Sequence, residues 1–314
     1  MKYRQLGNSG LKVSVVGVGC NNFGRALDVE GTRKVVGKAI DLGVTLFDTA
    51  DAYGNMGGSE EALGQVLGER RKAIVLATKF GLPMDAAGTL KGASRRYMMT
   101  AVEASLRRLK TDWIDLYQVH FPDDATPIDE TLRGLDDLVT QGKVRYIGCS
   151  NFAAWQMVEA EWIARRDRLN RFISCQNEYS LLAREVEREL VPAMLHYGTG
   201  LLPYFPLACG LLTGKYKRNT VMPADGRLVV QQRWADRFLT DANWRRVERL
   251  EQFAAERGRG LLELAFSWLA CRPTVASVIA GATKPEQIEQ NVKAAEWALT
   301  PDDMAEIDRL NTAA

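Results

Sequence analysis

Short apolar runs alternate with longer amphipathic stretches along most of this chain. Runs of strand length fall at Val15–Val18, Val44–Phe47, Ile74–Ala77, Ile114–Val119, Val144–Ile147, Ile173–Gln176, Leu201–Tyr204 and Ser277–Ala280. The stretches between them predict helices over Val29–Leu42, Ser59–Leu67, Ser94–Leu109, Pro127–Gln141, Ala153–Arg165, Glu185–His196, Trp244–Arg257, Leu261–Cys271 and Pro285–Ala298. Val247, Leu250, Phe253 and Ala254 illustrate the helical stripe, recurring at i, i+3, i+6 and i+7.

Eight strands with helices between them predict an α/β fold, a single (β/α)8 TIM barrel over residues 1–314. Ahead of it, Arg4 to Ser14 reads as a β-hairpin turning at Asn8-Ser9-Gly10. A doubly wound sheet is the rival. Its first turn carries G-x-G-x-x-G, whereas GVGCNNFG (Gly17 to Gly24) holds only a G-x-G. No composition shift marks a domain boundary. The long connection after strand seven, Gly210 to Asn243, has the length of a functional lid loop.

Composition narrows the classes of function. Of 314 residues, 46% are hydrophobic and 25% charged, as in globular proteins, and a net charge of +2 argues against nucleic acid and anionic membrane as partners. No apolar run approaches membrane-spanning length. MKYRQL at the N-terminus lacks an apolar signal core, and the five cysteines form no C-x-x-C pair, so a reducing cytoplasmic location is expected. With two histidines and no H-x-H or H-E-x-x-H, no metal site is expected.

The chemistry concentrates at predicted strand ends. Asp48 closes VTLFD with Tyr53 on the loop beyond it, Lys79 closes AIVLATK, and His120 closes IDLYQVH. In a parallel barrel those ends share one rim. A carboxylate, phenol, ammonium and imidazole meeting there suit proton transfer to a substrate oxygen, with Lys79 and Asp48 lowering the pKa of Tyr53. Ser150 and Asn151 follow strand five, and Gln176 follows strand six. Such residues are ordinary turn formers, and their polar groups also suit a carboxamide such as that of nicotinamide. Tyr204 could stack on a flat ring. After strand eight, Gly281, Thr283 and Lys284 precede Pro285 at a helix start, a plausible phosphate site.

Together these stretches resemble the aldo-keto reductases over essentially the whole chain. FDTADAYG (Phe47 to Gly54) with SEEALG (Ser59 to Gly64) resembles the family's first signature, and the lysine of ATK and the histidine of QVH its other catalytic members. GKVRYIGCSNF, QNEY, PLACGLLTGK and GATKPEQIEQN resemble its cofactor segments, and PLACG also resembles potassium channel β subunits. The resemblance implies NADPH-dependent reduction of a small carbonyl substrate. It assigns Tyr53 as general acid, Asp48 and Lys79 as its tuning pair, and His120 as a carbonyl-orienting donor. It implies cofactor contacts at Gly19, Cys20, Asn21, Asp48, Ser150, Asn151, Gln176, Tyr204, Phe205, Pro206, Leu207, Ala208, Cys209 and Gly210. Further contacts fall at Lys215, Arg227, Gly281, Thr283, Lys284, Gln287, Gln290 and Asn291. Four positions depart from the family pattern. Phe205 replaces a small hydroxyl residue, Gln287 an Arg for the adenosine 2′-phosphate, and Gln290 a frequent Glu. Lys284 replaces a Ser or Thr cap, and its charge can serve the phosphate.

Two other classes of function compete. Lys79 at a strand end would also serve a Schiff-base aldolase. A channel-type β subunit would use the bound cofactor as a redox sensor, and cysteines 20, 149, 175 and 209 all lie near strand ends. The lid aromatics Tyr216, Trp234 and Phe238, with Phe23, Phe121 and Trp155, predict an apolar pocket wall. Nothing in the sequence specifies an oligomeric state.

Overall fold

A computed structural model describes residues 1–312. An antiparallel hairpin, β1 (Tyr3–Gln5) and β2 (Lys12–Ser14), opens the chain. There follow β3 (Val16–Gly19), α1 (Val29–Asp41), β4 (Leu46–Asp48), α2 (Tyr53–Val66), β5 (Val75–Phe80), α3 (Arg95–Leu109), β6 (Ile114–Val119) and α4 (Ile128–Thr140). Next come β7 (Val144–Ser150), α5 (Ala154–Asp167), β8 (Phe172–Glu178), α6 (Leu190–Tyr197) and β9 (Gly200–Tyr204). The remainder is α7 (Arg227–Val230), α8 (Gln232–Phe238), α9 (Asp241–Glu256), α10 (Leu261–Ala270), β10 (Val278–Gly281), α11 (Pro285–Ala294) and α12 (Pro301–Thr312).

The eight strands β3 to β10 run parallel in the order β10-β3-β4-β5-β6-β7-β8-β9. The sheet closes between β9 and β10, where Leu201 N donates to Thr274 O (2.7 Å) and Ala276 N to Leu201 O (3.1 Å). This is the expected (β/α)8 barrel, with its helices outside.

Two buried clusters follow from the strand period of two. Outward-facing positions such as Val18, Phe47, Leu76, Tyr117 and Cys149 join the helices in the larger core. Leu46, Ala77, Leu116, Leu202 and Ile279 fill the barrel interior, and Leu6 and Val13 of the hairpin join that plug. Two residues further along three of these strands stand Asp48, Lys79 and Gln118, all buried. The period that turns apolar residues inward therefore turns polar ones inward at the rim.

The elements differ from expectation mainly at their ends. Asp48 and Lys79 lie within their strands, and β5 continues to Phe80. The expected helix over Glu185–His196 is a 3-10 turn, Glu185–Glu187, followed by α6. The segment after β9 is not a bare loop. It contains a 3-10 stretch, Ala208–Thr213, then α7 and α8, and α9 already starts at Asp241, capped by Thr240. The terminal α11 stops at Ala294, and α12 follows it. Among the described residues no helix is long and apolar enough to cross a membrane.

Candidate active site

Lys79 and Asp48 form a sealed ion pair at the rim. Nζ lies 2.6 Å from Oδ2 of Asp48 and also donates to Thr49 O at 3.0 Å. The lysine is 0% exposed and the aspartate 3%. Two amides complete the carboxylate: Gln118 Nε2 at 3.1 Å and Gln176 Nε2 at 2.9 Å, both to Oδ1. Burial alone would lower the Lys79 pKa, but Asp48 and Tyr53 overcome it and the net shift is upward, so Lys79 is an ammonium.

The loop from β4 places Tyr53 above this pair. Thr49 N donates to Ala77 O and Asp51 N to Lys79 O, which docks the loop along β5. Tyr53 begins α2, whose backbone is non-helical at Gly54, Asn55, Met56 and Gly57. Gly54 has φ 68°, and a Cβ there would stand 2.5 Å from Ser59 N and 2.7 Å from Phe23 O, so the turn requires glycine. The ammonium lies 5.1 Å from the Tyr53 ring centroid, close enough for its charge to act on the phenol.

Burial raises the Tyr53 pKa, Lys79 opposes the rise, and Asp48 adds to it. The net direction is upward, so the lowered phenol pKa expected from Lys79 and Asp48 is not the outcome in this pocket. The residue is half-buried, and its hydroxyl is desolvated. His120 meets that ring edge-on at 5.7 Å. Burial, then the Lys79 charge, push its pKa down to about 3, which makes it a neutral imidazole. Its Nδ1 has no hydrogen-bond partner among the described residues. His196, by contrast, is exposed in the last turn of α6.

Ser150, Asn151 and Tyr204 join the rim but also brace it. Asn151, at φ 62°, donates through Nδ2 to His120 O (2.9 Å) and accepts from the Tyr204 hydroxyl (2.8 Å). Ser150 Oγ donates to Gln176 O at 2.9 Å. Phe205, at φ 51°, packs edge-on to Tyr204 and to Trp234 of α8.

Arg227 links the chain beyond β9 to the end of β10. A Cβ on Gly210 would lie 3.6 Å from Lys215 Nζ, and the Arg227 charge opposes the upward pKa shift that burial gives the Cys209 thiol. Arg227 Nη2 donates to Asn22 Oδ1 (3.3 Å), and Asn22 Nδ2 donates to Ala282 O (3.4 Å). A Cβ on Gly281 would meet Asn21 Oδ1 at 3.3 Å. Arg227 thus reaches the end of β10 through Asn22, Lys215 lies beside Gly210, and Lys284 caps α11 just beyond, cations of the kind that suit a diphosphate. Cys20, Pro206, Ala208, Cys209 and Asn291 are buried, and Leu207 is half-buried. Gln287 is committed to its own helix. Its Oε1 accepts from Thr283 N (2.7 Å) and Lys284 N (3.3 Å) and caps α11. Gln290 is exposed on α11.

Side chains hold the lid at several points. Arg237 of α8 pairs with Glu178 at 2.6 Å, and Leu228 N donates to the buried Tyr216 hydroxyl. Tyr216 and Phe238 are buried, and Trp234 lies against Phe205. Phe121 stacks on His120 at 5.4 Å and remains exposed, as does Trp155, while Phe23 is buried.

Sequence reasoning did not single out Gln118, Asn22 or a second acidic site behind the Tyr53 loop. Gln118 had a signal, since it stands two residues before His120 and so shares its inward face. In the acidic site, Glu60 is 0% exposed, and it takes Arg108 Nε (2.8 Å) and Thr78 Oγ1 (2.5 Å). Asp51 is buried beside it, and one of its oxygens has no partner among the described residues. Burial first, then Glu60, push its pKa up to about 7.

The profile of the aldo/keto reductase family matches residues 15–312. A probable voltage-gated potassium channel subunit beta of Oryza sativa subsp. japonica is 39% identical, covering 98% of this chain and 96% of that one. L-glyceraldehyde 3-phosphate reductase of Escherichia coli (strain K12) is 33% identical, covering 98% and 92%. Versiconal hemiacetal acetate reductase of Aspergillus parasiticus is 33% identical, covering 97% and 95%.

Proposed function

The chain belongs to the aldo/keto reductase family, and on that premise we propose that it reduces aldehydes or ketones to alcohols with NADPH, Tyr53 supplying the proton. The observation that carries this reading is the buried Lys79 ammonium, fixed by Asp48 at 2.6 Å and lying 5.1 Å from the Tyr53 ring centroid. When bound, NADPH supplies the hydride. Gly281, Thr283, Lys284, Lys215 and Arg227 would hold its phosphates, and Ser150, Asn151 and Gln176 its nicotinamide end.

The protein's own groups perform the rest. The raised pKa keeps Tyr53 a protonated phenol at neutral pH, able to donate to the carbonyl oxygen as negative charge builds there. Lys79 stabilises the tyrosinate left behind, because charges in a dry site interact strongly. Neutral His120 carries one N–H, which orients the carbonyl, and Phe121 and Trp155 offer an apolar approach. The Schiff-base alternative loses ground. An amine nucleophile must be unprotonated, and Lys79 is an ammonium bonded to Asp48 and Thr49.

The test is NADPH consumption over a panel of aldehydes, ketones and sugar aldehydes, repeated with Tyr53→Phe. Turnover that the variant retains in full would overturn the role of Tyr53. The name of the Oryza sativa relative, a probable voltage-gated potassium channel subunit beta, favours a second reading, a channel-associated subunit, in which a bound cofactor would act as a redox sensor. Tight NADPH binding without turnover of any carbonyl on the panel would select that reading.

A further inference from the structure

Gln118 touches Asp48 from beneath the rim, and none of the chemistry above uses it. Its Nε2 lies 3.1 Å from Oδ1 of Asp48, and the residue is 0% exposed. A carboxylate can only accept, so the amide nitrogen and not its oxygen faces Asp48. Gln118 is also the register partner of Lys79 on the adjacent strand. Two neighbouring strands therefore deliver an ammonium and an amide to the two oxygens of one carboxylate.

We propose that Gln118 is a positioning residue for proton transfer, locking the Asp48 carboxylate so that Oδ2 stays on Lys79 and the ammonium stays beside the Tyr53 phenol; this rests on the reductase reading of the site. Without Gln118, Oδ1 keeps only the Gln176 amide, and a carboxylate held by fewer donors rotates more freely about its terminal bond, which carries the ammonium with it. Gln176 also reaches Oδ1, but from the next layer of the rim, beside Ser150. Gln118 is the donor sealed inside.

Packing alone does not account for this residue. The Gln118 Oε1 is buried without a hydrogen-bond partner among the described residues, a cost that a Met or Leu would avoid. The neighbouring strand also makes room for it. A Cβ on Gly148 would lie 3.3 Å from Gln118 Cγ and 2.5 Å from Ser174 Oγ.

The experiment compares Gln118→Met and Gln118→Glu with the wild type. Losing a hydrogen bond to a charged group should lower kcat of Gln118→Met by roughly tenfold, with KM and NADPH affinity unchanged. Gln118→Glu should recover on acidification, when its carboxyl is protonated and can donate, and fail again as it ionises. Proton exchange of the Lys79 ammonium, followed by ¹⁵N NMR without cofactor, should quicken by roughly tenfold in Gln118→Met. Wild-type kcat together with unchanged ammonium exchange would overturn the proposal. So would a Gln118→Glu profile with no recovery at low pH. If the wild type reduces no carbonyl, the reductase reading fails, and the ammonium exchange still decides the role of Gln118.

Discussion

Nζ of Lys79 stands 2.6 Å from Oδ2 of Asp48, and both side chains are closed to solvent. Removing either partner strands the other. A buried charge deprived of its partner typically costs ~3–5 kcal/mol, although Gln118 and Gln176 still satisfy one oxygen of Asp48. Lys79→Met should accordingly unfold about 3 kcal/mol more easily in urea and lose nearly all reduction. A variant as stable as the wild type would mean that the pair is solvated in solution.

Asp48→Asn asks about tuning. Asp48 holds the Lys79 pKa up against burial, and it raises that of Tyr53. Removing its charge lowers both, so the alkaline limb of the kcat profile should move to lower pH. A limb that coincides with the wild-type one would separate Asp48 from the tuning.

Tyr53→Phe keeps the ring and deletes the proton. A positioned acid contributes roughly 10²–10⁴-fold, so kcat should fall by that order while NADPH titrations of intrinsic fluorescence barely change. An equal fall in cofactor affinity would move the role of the hydroxyl from chemistry to binding.

His120 and Asp51 predict opposite slopes of stability with pH. The folded His120 pKa, about 3, lies below the ordinary 6.5, so the unfolded chain binds the extra proton between them. Its contribution is full above pH 6.5 and is lost as pH falls, roughly 2–3 kcal/mol by pH 4. The folded Asp51 pKa, about 7, lies above the ordinary 3.8, so the folded chain binds the extra proton. Its contribution is full below pH 3.8 and is lost as pH rises through 7. Asp51→Asn should then raise stability at pH 8 by ~2 kcal/mol and change little at pH 4. A melting-temperature gain that is the same at both pH values would contradict the assignment.

Lys284→Ala and Gln287→Ala separate charge from capping. Lys284 is exposed at the start of α11, whereas Gln287 is tied to the amides of Thr283 and Lys284. Losing Lys284 should weaken NADPH by about tenfold, the worth of a charge-assisted contact, and leave NADH nearly unchanged. Gln287→Ala should cost ~1 kcal/mol of stability as a lost helix cap, with little change in the ratio of the two cofactors. Equal losses of NADPH and NADH in Lys284→Ala would assign it to the pyrophosphate.

The barrel was legible because each strand wrote its own apolar run and each helix its own stripe. The rim groups were legible because Asp48, Lys79 and His120 end such runs. Two things were not. One is what each polar group does with its other atoms. Asn151 reads as a cofactor amide in sequence, yet it also ties Tyr204 to the His120 backbone, a relation that spans three strands. Gln287 likewise turns back on its own helix. The other is net electrostatics. The sequence pairs Lys79 with Tyr53, but desolvation depends on how much of the fold covers the hydroxyl, and it decides the direction of the Tyr53 shift.

The closure between β9 and β10 has a dynamic consequence. Elsewhere neighbouring strands are joined by two or more paired residues, whereas here, among the described residues, one isolated bridge, Leu201 with Val275, makes the join. Arg4 of the hairpin reaches the same place, its Nη1 donating to Val275 O at 2.9 Å. A ring opens where its weakest link lies. Amide hydrogen–deuterium exchange should therefore begin along Leu201 and Ala276 at native conditions, well before the amides of β5 and β6. Arg4→Ala should hasten exchange at that seam and leave the opposite side of the barrel at its original rate. The N-terminal hairpin would then act as a clasp that sets how often the barrel opens.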